Sequence, residues 1–195
     1  MKKSYQKTIY ACFTGYIVQA IVNNFAPLLF LTFHESYGIS MEKITLLITF
    51  NFGMQLLVDL LSVGFVDRIG YRAAMVLAHV CSSAGLIFLA VLPGMFQDPF
   101  VGLFISVVVY AAGGGLLEVL VSPVMEACPS DNKEKAMSLL HSFYCWGHVG
   151  VVLLSTLFFR LAGIGSWRIL ALLWALIPLV NGVVFLRAPM ASLME

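Results

Sequence analysis

The chain has 195 residues, 61% of them hydrophobic and only 11% charged, and its mean hydropathy is +0.95. Soluble domains carry about 25% charged residues, so an ordinary soluble globular domain and a disordered chain are both excluded. Eleven basic residues nearly cancel ten acidic ones, which leaves no electrostatic footprint for nucleic acid. A bilayer-crossing helix needs about 20 apolar residues, so the chain has room for about six spans and little else.

Six apolar stretches follow in chain order. Span 1 covers residues 8–33 and is preceded by Lys2, Lys3 and Lys7. It is longer than a signal-peptide core, contains Gln19, Asn23 and Asn24, and lacks a small-x-small cleavage site, so it reads as a retained helix. Span 2 covers 44–66, span 3 73–96, span 4 99–127, span 5 136–162 and span 6 167–187. These runs are continuous, unlike the alternating ten-residue segments of a membrane barrel. The expected fold is an all-α membrane protein with six transmembrane helices in a single domain.

The expected connections are 34–43, 67–72, 97–98, 128–135 and 163–166. Placing the N-terminus inside puts Lys2, Lys3, Lys7, Arg68, Arg72, Lys133, Lys135 and Arg187 on the cytoplasmic face. Only Lys43, Arg160 and Arg168 remain for the other face. Basic residues favour the cytoplasmic side, so both termini are expected there, in the plasma (inner) membrane. Cys12, Cys81, Cys128 and Cys145 sit in or at the ends of spans and read as small packing residues rather than a disulfide framework.

Two acids lie well inside spans, Asp59 in span 2 and Glu118 in span 4. Counted from the span centres, each is roughly 6–8 Å to the cytoplasmic side of the midplane. A charge at that depth costs at least about 2.5–3.5 kcal/mol, and no basic residue lies at mid-depth to pair with it. A carboxyl that gains and loses a proton as a cavity opens is the minimal machinery of proton coupling. The alternative is a structural acid hydrogen-bonded to a neighbouring helix.

Gly113, Gly114 and Gly115 lie one turn before Glu118. They read as close helix packing, with an opening for substrate as the other reading; Gly147 and Gly150 read the same way. Span 5 carries His141, Ser142, Phe143, Tyr144, Trp146 and His148. Rings interspersed with hydrogen-bonding groups suit a sugar, though helix packing accounts for them too. Gln19 and Asn23 are four apart and share a face of span 1.

Enzyme motifs fail on inspection. His34-Glu35 has Gly38 where a zinc motif needs its second histidine. Residues 163–167, GIGSW, are no nucleophile elbow. Cys145-Trp-Gly-His148 lacks the second cysteine of a haem attachment site. No catalytic activity, metal or cofactor is expected.

The six spans divide into 8–96 and 99–187, two sets of three and equal in length. Because three is odd, the second set must be inverted. Span 1 carries Asn23 and Asn24 before Pro27, and span 4 carries Glu118 before Pro123. A proline frees a backbone carbonyl, and paired interrupted helices point to a binding site between repeats.

Gly64 to Arg72 reads G-F-V-D-R-I-G-Y-R. This resembles the D-R-x-G-[RY]-[RK] signature of the Major Facilitator Superfamily, at its usual place between spans 2 and 3. One position departs: Val63 stands where the family usually has glycine, with Gly64 next to it. The resemblance implies half of a facilitator fold, the N-terminal six helices as two inverted three-helix repeats, with 188–195 beginning the central linker. It also implies a conformational latch of Asp67, Arg68, Gly70 and Arg72. In that latch Asp67 opens a tight turn and caps a helix of the other half, and Arg68 and Arg72 are its basic partners.

Gly115-Leu-Leu-Glu118-Val-Leu-Val-Ser122-Pro123 is similar to span 4 of the fucose-permease-like sugar:proton symporters, and Leu139 to Tyr144 resembles their span 5. This implies that Glu118 takes up the proton and that Asn23 or Asn24 contacts the sugar. The expected solute site is Gln19, Asn23, Asn24, His141, Phe143 and Trp146, with Asp59 joining Glu118 in proton coupling. Span 5 lacks the G-x-x-x-G-P pattern of drug antiporters, which argues for uptake. Expected partners are a small polar solute, a proton, the lipid bilayer and a complementary six-helix half. That half is a missing C-terminal half, a separate chain or a second copy. A truncated or split half without activity of its own is the alternative to a transporter unit, and a membrane scaffold comes third.

Overall fold

The computed structural model describes residues 5–191. Lys2, Lys3 and the 192–195 part of the expected linker lie outside the described residues. Among the described residues every regular element is helical and none is a strand. Six helices are long and apolar enough to cross a membrane: Gln6–Tyr37, Met41–Ile69, Tyr71–Gly94, Pro99–Ala127, Lys133–Ala162 and Ile164–Arg187, spans 1 to 6 in order.

The helices overrun their apolar stretches because capped polar turns extend them. Residues 34–37, expected in a loop, continue span 1 until Gly38, whose φ of 64° ends the helix. Ser40 then starts span 2, its Oγ accepting from the Lys43 amide at 3.3 Å. Asp98 caps span 4 through the Phe100 amide (3.0 Å), and Asn132 caps span 5 through the Lys135 amide (2.9 Å). Such caps satisfy amides that a helix start otherwise leaves without partners.

The two proline sites differ. Around Pro27 span 1 breaks into a helix Gln6–Asn24, a 3-10 turn Ala26–Leu29 and a second helix Phe30–Tyr37. Span 4 runs unbroken through Pro123. The expected pair of interrupted helices is therefore present in span 1 alone.

Spans 1, 3 and 4 are the most enclosed, while spans 2 and 5 turn most of their apolar surface outward. Span 1 packs on spans 4, 5 and 6, span 4 on spans 1, 2 and 3, and span 3 on span 6. The first helix of each set of three thus rests on the second helix of the other set. One end of the core holds Phe25, Leu29, Phe33, Leu103 and Trp167; the other holds Cys12, Met75, Leu117, Val121 and Phe185.

The glycines of span 4 explain its central place. Successive helix positions point about 100° apart, so three in a row address three neighbours. A Cβ on Gly113 would lie 2.6 Å from the Ala78 carbonyl of span 3, one on Gly114 3.1 Å from Val22 of span 1, and one on Gly115 3.0 Å from the Gln55 backbone of span 2. Gly147 packs likewise on span 1, with Ala20 Cβ at 3.1 Å. Gly150 does not follow the expectation: nothing lies within 4 Å of its Cβ position, because it faces outward.

Spans 2 and 5 end alike. Gly70 stops span 2 with φ 82° and ψ 154°, and Gly163 stops span 5 with φ 81° and ψ 152°. Only glycine adopts that region without strain. Inside the bundle, fully buried His79 of span 3 shares its Nδ1 proton with the Met75 carbonyl (2.8 Å), and its Nε2 accepts from Asn181 Nδ2 (2.7 Å). Asn181 of span 6 also donates to the Ala11 carbonyl of span 1 at 3.0 Å. His79 and Asn181 thus tie spans 1, 3 and 6 together.

Candidate functional site

Spans 1, 2, 4 and 5 enclose an open cleft of about 510 Å³. Span 1 contributes Tyr16, Gln19 and Asn23, which share a face at steps of three and four. Span 2 contributes Phe52, Gln55, Leu56 and Asp59, span 4 contributes Glu118, and span 5 contributes His141, Tyr144 and Cys145. The break after Asn24 leaves the polar face of span 1 at the end of a regular helix. The glycines one turn before Glu118 draw span 4 against its neighbours and present that carboxylate to the opening.

The cleft polar groups are wired to one another. Gln19 Nε2 donates to Glu118 Oε2 at 3.3 Å. Asn23 Oδ1 accepts from Gln55 Nε2 (2.6 Å) and Asn51 Nδ2 (3.1 Å), while its own Nδ2 donates to the Tyr144 hydroxyl (3.3 Å). Gln55 Nε2 also reaches Asn51 Oδ1 at 3.2 Å. Asn23 and Asn51 extend further, to a second cavity of about 180 Å³ that reaches Pro27. The Tyr16 hydroxyl pairs with Ser122 Oγ at 2.7 Å. Asp59 Oδ1 is buried without a hydrogen-bond partner. Among the described residues no lysine or arginine lines the cleft.

The structure thus brings together Glu118, Asp59, Gln19, Asn23 and His141 from the expected set. It does not bring Asn24, Phe143 or Trp146 to the cleft. Asn24 turns back to its own helix, donating to the Ala20 carbonyl at 2.7 Å. Phe143 stacks on Phe13 of span 1, centroids 4.5 Å apart and nearly parallel. Trp146 is 72% exposed, away from the cleft. The helical turn decides this: residues 141, 144 and 145 share one face of span 5, whereas 143 and 146 point well round from it.

Residue-by-residue reading missed Tyr16, Asn51, Gln55 and Phe52. The signal was present: Asn51, Gln55 and Asp59 stand at steps of four, a polar stripe along an otherwise apolar span 2. Cys145, expected to be a packing residue, is exposed in the cleft.

The latch residues lie at the far end of span 2. Asp67 belongs to the last helical turn, since the helix continues to Ile69, and does not open a turn as expected. Asp67 and Arg68 are exposed. Arg72 is directed elsewhere than to Asp67: its Nη1 donates to the carbonyls of Phe185 (2.9 Å), Leu186 (3.2 Å) and Ala188 (2.8 Å). It thereby neutralises the negative end of span 6.

Comparison with known proteins fits this architecture. No curated protein sequence matches the chain. Among solved structures, a mutant of the peptide transporter POT in complex with sulfate superposes with a TM-score of 0.74 at 18% identity, covering 92% of this chain and 37% of its own. A POT family transporter in complex with a thioalcohol-conjugated peptide gives 0.67 at 18% identity, covering 94% of this chain and 37% of its own. The POT mutant in complex with alafosfalin gives 0.65 at 20% identity, covering 92% and 36%. The chain therefore spans little more than a third of the length of these transporters, and the likeness is one of fold. The family model of the Major Facilitator Superfamily matches residues 11–192. With six apolar helices in the arrangement of half a facilitator, the chain belongs to the Major Facilitator Superfamily.

Proposed function

We propose that the chain is one half of a secondary carrier that takes up a small polar solute with protons, and that the cleft is its half of the solute site. The observation that carries this reading is the convergence of Glu118 and Asp59 with the amides of Gln19, Asn23 and Gln55 on one cleft inside the bundle. Membrane-buried acids with no cationic partner are suited to carry protons. In this reading Glu118 exchanges its proton as Gln19 engages or releases it, and Asp59 is the second acceptor. Asn23, Gln55, Tyr144 and His141 hold the solute, and access alternates as two six-helix units rock around the shared site. The two sets of three spans are inverted repeats, a reading supported by the matching ends of spans 2 and 5 and by the exchanged helix pairings. The second unit belongs to the same polypeptide, a separate chain or a second copy. Asp67 and Arg68, exposed at the end of span 2, are the part of the latch that faces it.

The solute we favour is an uncharged, hydroxyl-rich molecule such as a sugar. The cleft offers amide and hydroxyl groups beside the Phe52 ring and, among the described residues, no lysine or arginine for the carboxylate of a peptide. A peptide is the second reading: the solved transporters of similar fold carry or bind such compounds, and the cleft acids would receive an amino terminus. The excess of basic residues on one face supports an orientation with both termini in the cytoplasm, and the reading puts the chain in the plasma membrane. Uptake into proteoliposomes, with and without an imposed pH gradient, tests the reading. Competition by neutral sugars but not dipeptides is expected, and loss of gradient-driven uptake in Glu118→Gln. Coupling that survives Glu118→Gln removes Glu118 from the mechanism. Labelling of Lys43 from the cytoplasmic side overturns the orientation.

A further inference from the structure

On the reverse side of span 1 lies a second groove, about 520 Å³, between spans 1 and 6. Its walls include Tyr10, Ala11, Val183 and Val184, and its mouth holds Lys7 and Arg187. Among the described residues no carboxylate lines it. Lys7, Tyr10, Ala11 and Thr14 stand at helical steps of three and four, roughly half a turn round span 1 from Tyr16, Gln19 and Asn23. The groove therefore opens away from the solute cleft.

Lys7 begins span 1 and Arg187 ends span 6, so both lie at the same membrane surface. The Thr8 hydroxyl, 2.5 Å from the Pro189 carbonyl, ties these two ends together. The mouth thus sits at headgroup depth, and Tyr10, 63% exposed, occupies the amphipathic level that interfacial aromatics prefer. From Lys7 to Thr14 the wall descends about 10 Å into the bilayer, enough to hold the upper part of an acyl chain. Lysine and arginine above an apolar channel between transmembrane helices are complementary to one kind of bilayer component, an anionic phospholipid.

We propose that the groove between spans 1 and 6 binds one anionic phospholipid, its phosphate held by Lys7 and Arg187 and its acyl chain lying along Tyr10, Val183 and Val184. The site is separate from the solute cleft and independent of what the cleft carries.

The test is native mass spectrometry of the purified full chain after exchange from mixed phosphatidylglycerol and phosphatidylcholine micelles. One phosphatidylglycerol is expected to survive exchange, with phosphatidylcholine retained far less. Lys7→Gln/Arg187→Gln is expected to weaken retention about thirtyfold, at about fivefold for each cation. Lys7→Arg/Arg187→Lys is expected to keep the lipid, whereas Lys43→Gln/Arg160→Gln, changed outside the groove, leaves retention untouched. Val184→Trp fills the groove with both cations in place and is expected to expel the lipid, which keeps the test decisive should the double glutamine variant misfold. Glycerol phosphate, which has the headgroup but no chain, is expected not to compete; competition would assign the site to a soluble phosphate and overturn the lipid. Equal retention of phosphatidylcholine, or unchanged retention in Val184→Trp, overturns the proposal as well.

Discussion

Replacing Gly113 with alanine sets two known quantities against each other. Alanine favours a helix over glycine by about 0.8–1.0 kcal/mol. The new methyl would run into Ser82 Oγ and lie 2.6 Å from the Ala78 carbonyl oxygen and 2.7 Å from the Ser82 amide nitrogen. The hydroxyl can rotate away, at the expense of its 2.8 Å bond to Ala78, but the two backbone atoms cannot. Ordinary contact begins at 3.4 Å, so spans 3 and 4 must part or shear before the methyl fits. Overpacking of this kind costs about 1–3 kcal/mol and more when backbone must move, so Gly113→Ala is expected to be destabilised by about 1–2 kcal/mol net. Gly150→Ala meets nothing within 4 Å and keeps the whole helix gain. Gly115→Ala, with its nearest atoms at 3.0–3.1 Å, falls between. For a chain of this size about 1 kcal/mol is 2–4 °C in Tm. Thermal unfolding in detergent, followed by tryptophan fluorescence, is expected to rank Gly150→Ala above wild type and Gly113→Ala several degrees below it. A Gly113→Ala protein as stable as wild type would refute the close approach of spans 3 and 4, and with it the account of how Glu118 is aimed.

Further outcomes follow from the same geometry. Asn23→Ala leaves the donors of Asn51 and Gln55, both about 95% buried, without their shared acceptor; a loss of about 1–3 kcal/mol is expected. Asn23→Asp keeps that acceptor and is expected to unfold closer to wild type in the same assay. Arg72→Gln removes three charge-assisted bonds to the end of span 6, and hydrogen exchange is expected to show the last turn of that helix fraying. Cys145 is exposed in the cleft while Cys12 and Cys128 are buried, so a maleimide is expected to modify Cys145 first. A transported solute is expected to slow that reaction, and labelling rates measured with candidate sugars and dipeptides then report which class occupies the cleft.

Much of the fold was legible because the bilayer imposes a simple rule. Twenty apolar residues in a row have few fates, and the six spans and most of their connections follow from hydropathy alone. Hydropathy is blind to the polar turns that caps add, which is why residues 34–37 and 133–135 read as loop and fold as helix. The acids were legible for an energetic reason, since Asp59 and Glu118 are expensive where they stand. The amides were harder: Asn51 and Gln55 carry no charge, and only their spacing with Asp59 marks them. Phe143 and Trp146 were chosen by chemistry suited to a sugar, but which face of span 5 meets the cleft is settled by the packing of Phe143 on Phe13 and of Gly147 on Ala20. Arg72 could be placed near Asp67 by proximity in sequence; that it bonds span 6 instead depends on a tertiary contact more than a hundred residues away.

The twin glycines at 70 and 163 have a mechanical consequence. Span 2 is joined to span 3 through Gly70 alone, and span 5 meets the short turn before span 6 at Gly163. Because the chain crosses the bilayer with each span, these two elbows lie on opposite membrane surfaces. Spans 2 and 5 are also the least enclosed helices, and both border the cleft. Each is a lever jointed at one end and held along one face only, span 2 by span 4 and span 5 by span 1. One pivots at the surface that holds the termini, the other at the far surface. A tilt at Gly70 therefore sweeps the far end of span 2, and a tilt at Gly163 sweeps the opposite end of span 5. In the carrier we propose, two residues without side chains would set which mouth of the cleft each helix widens.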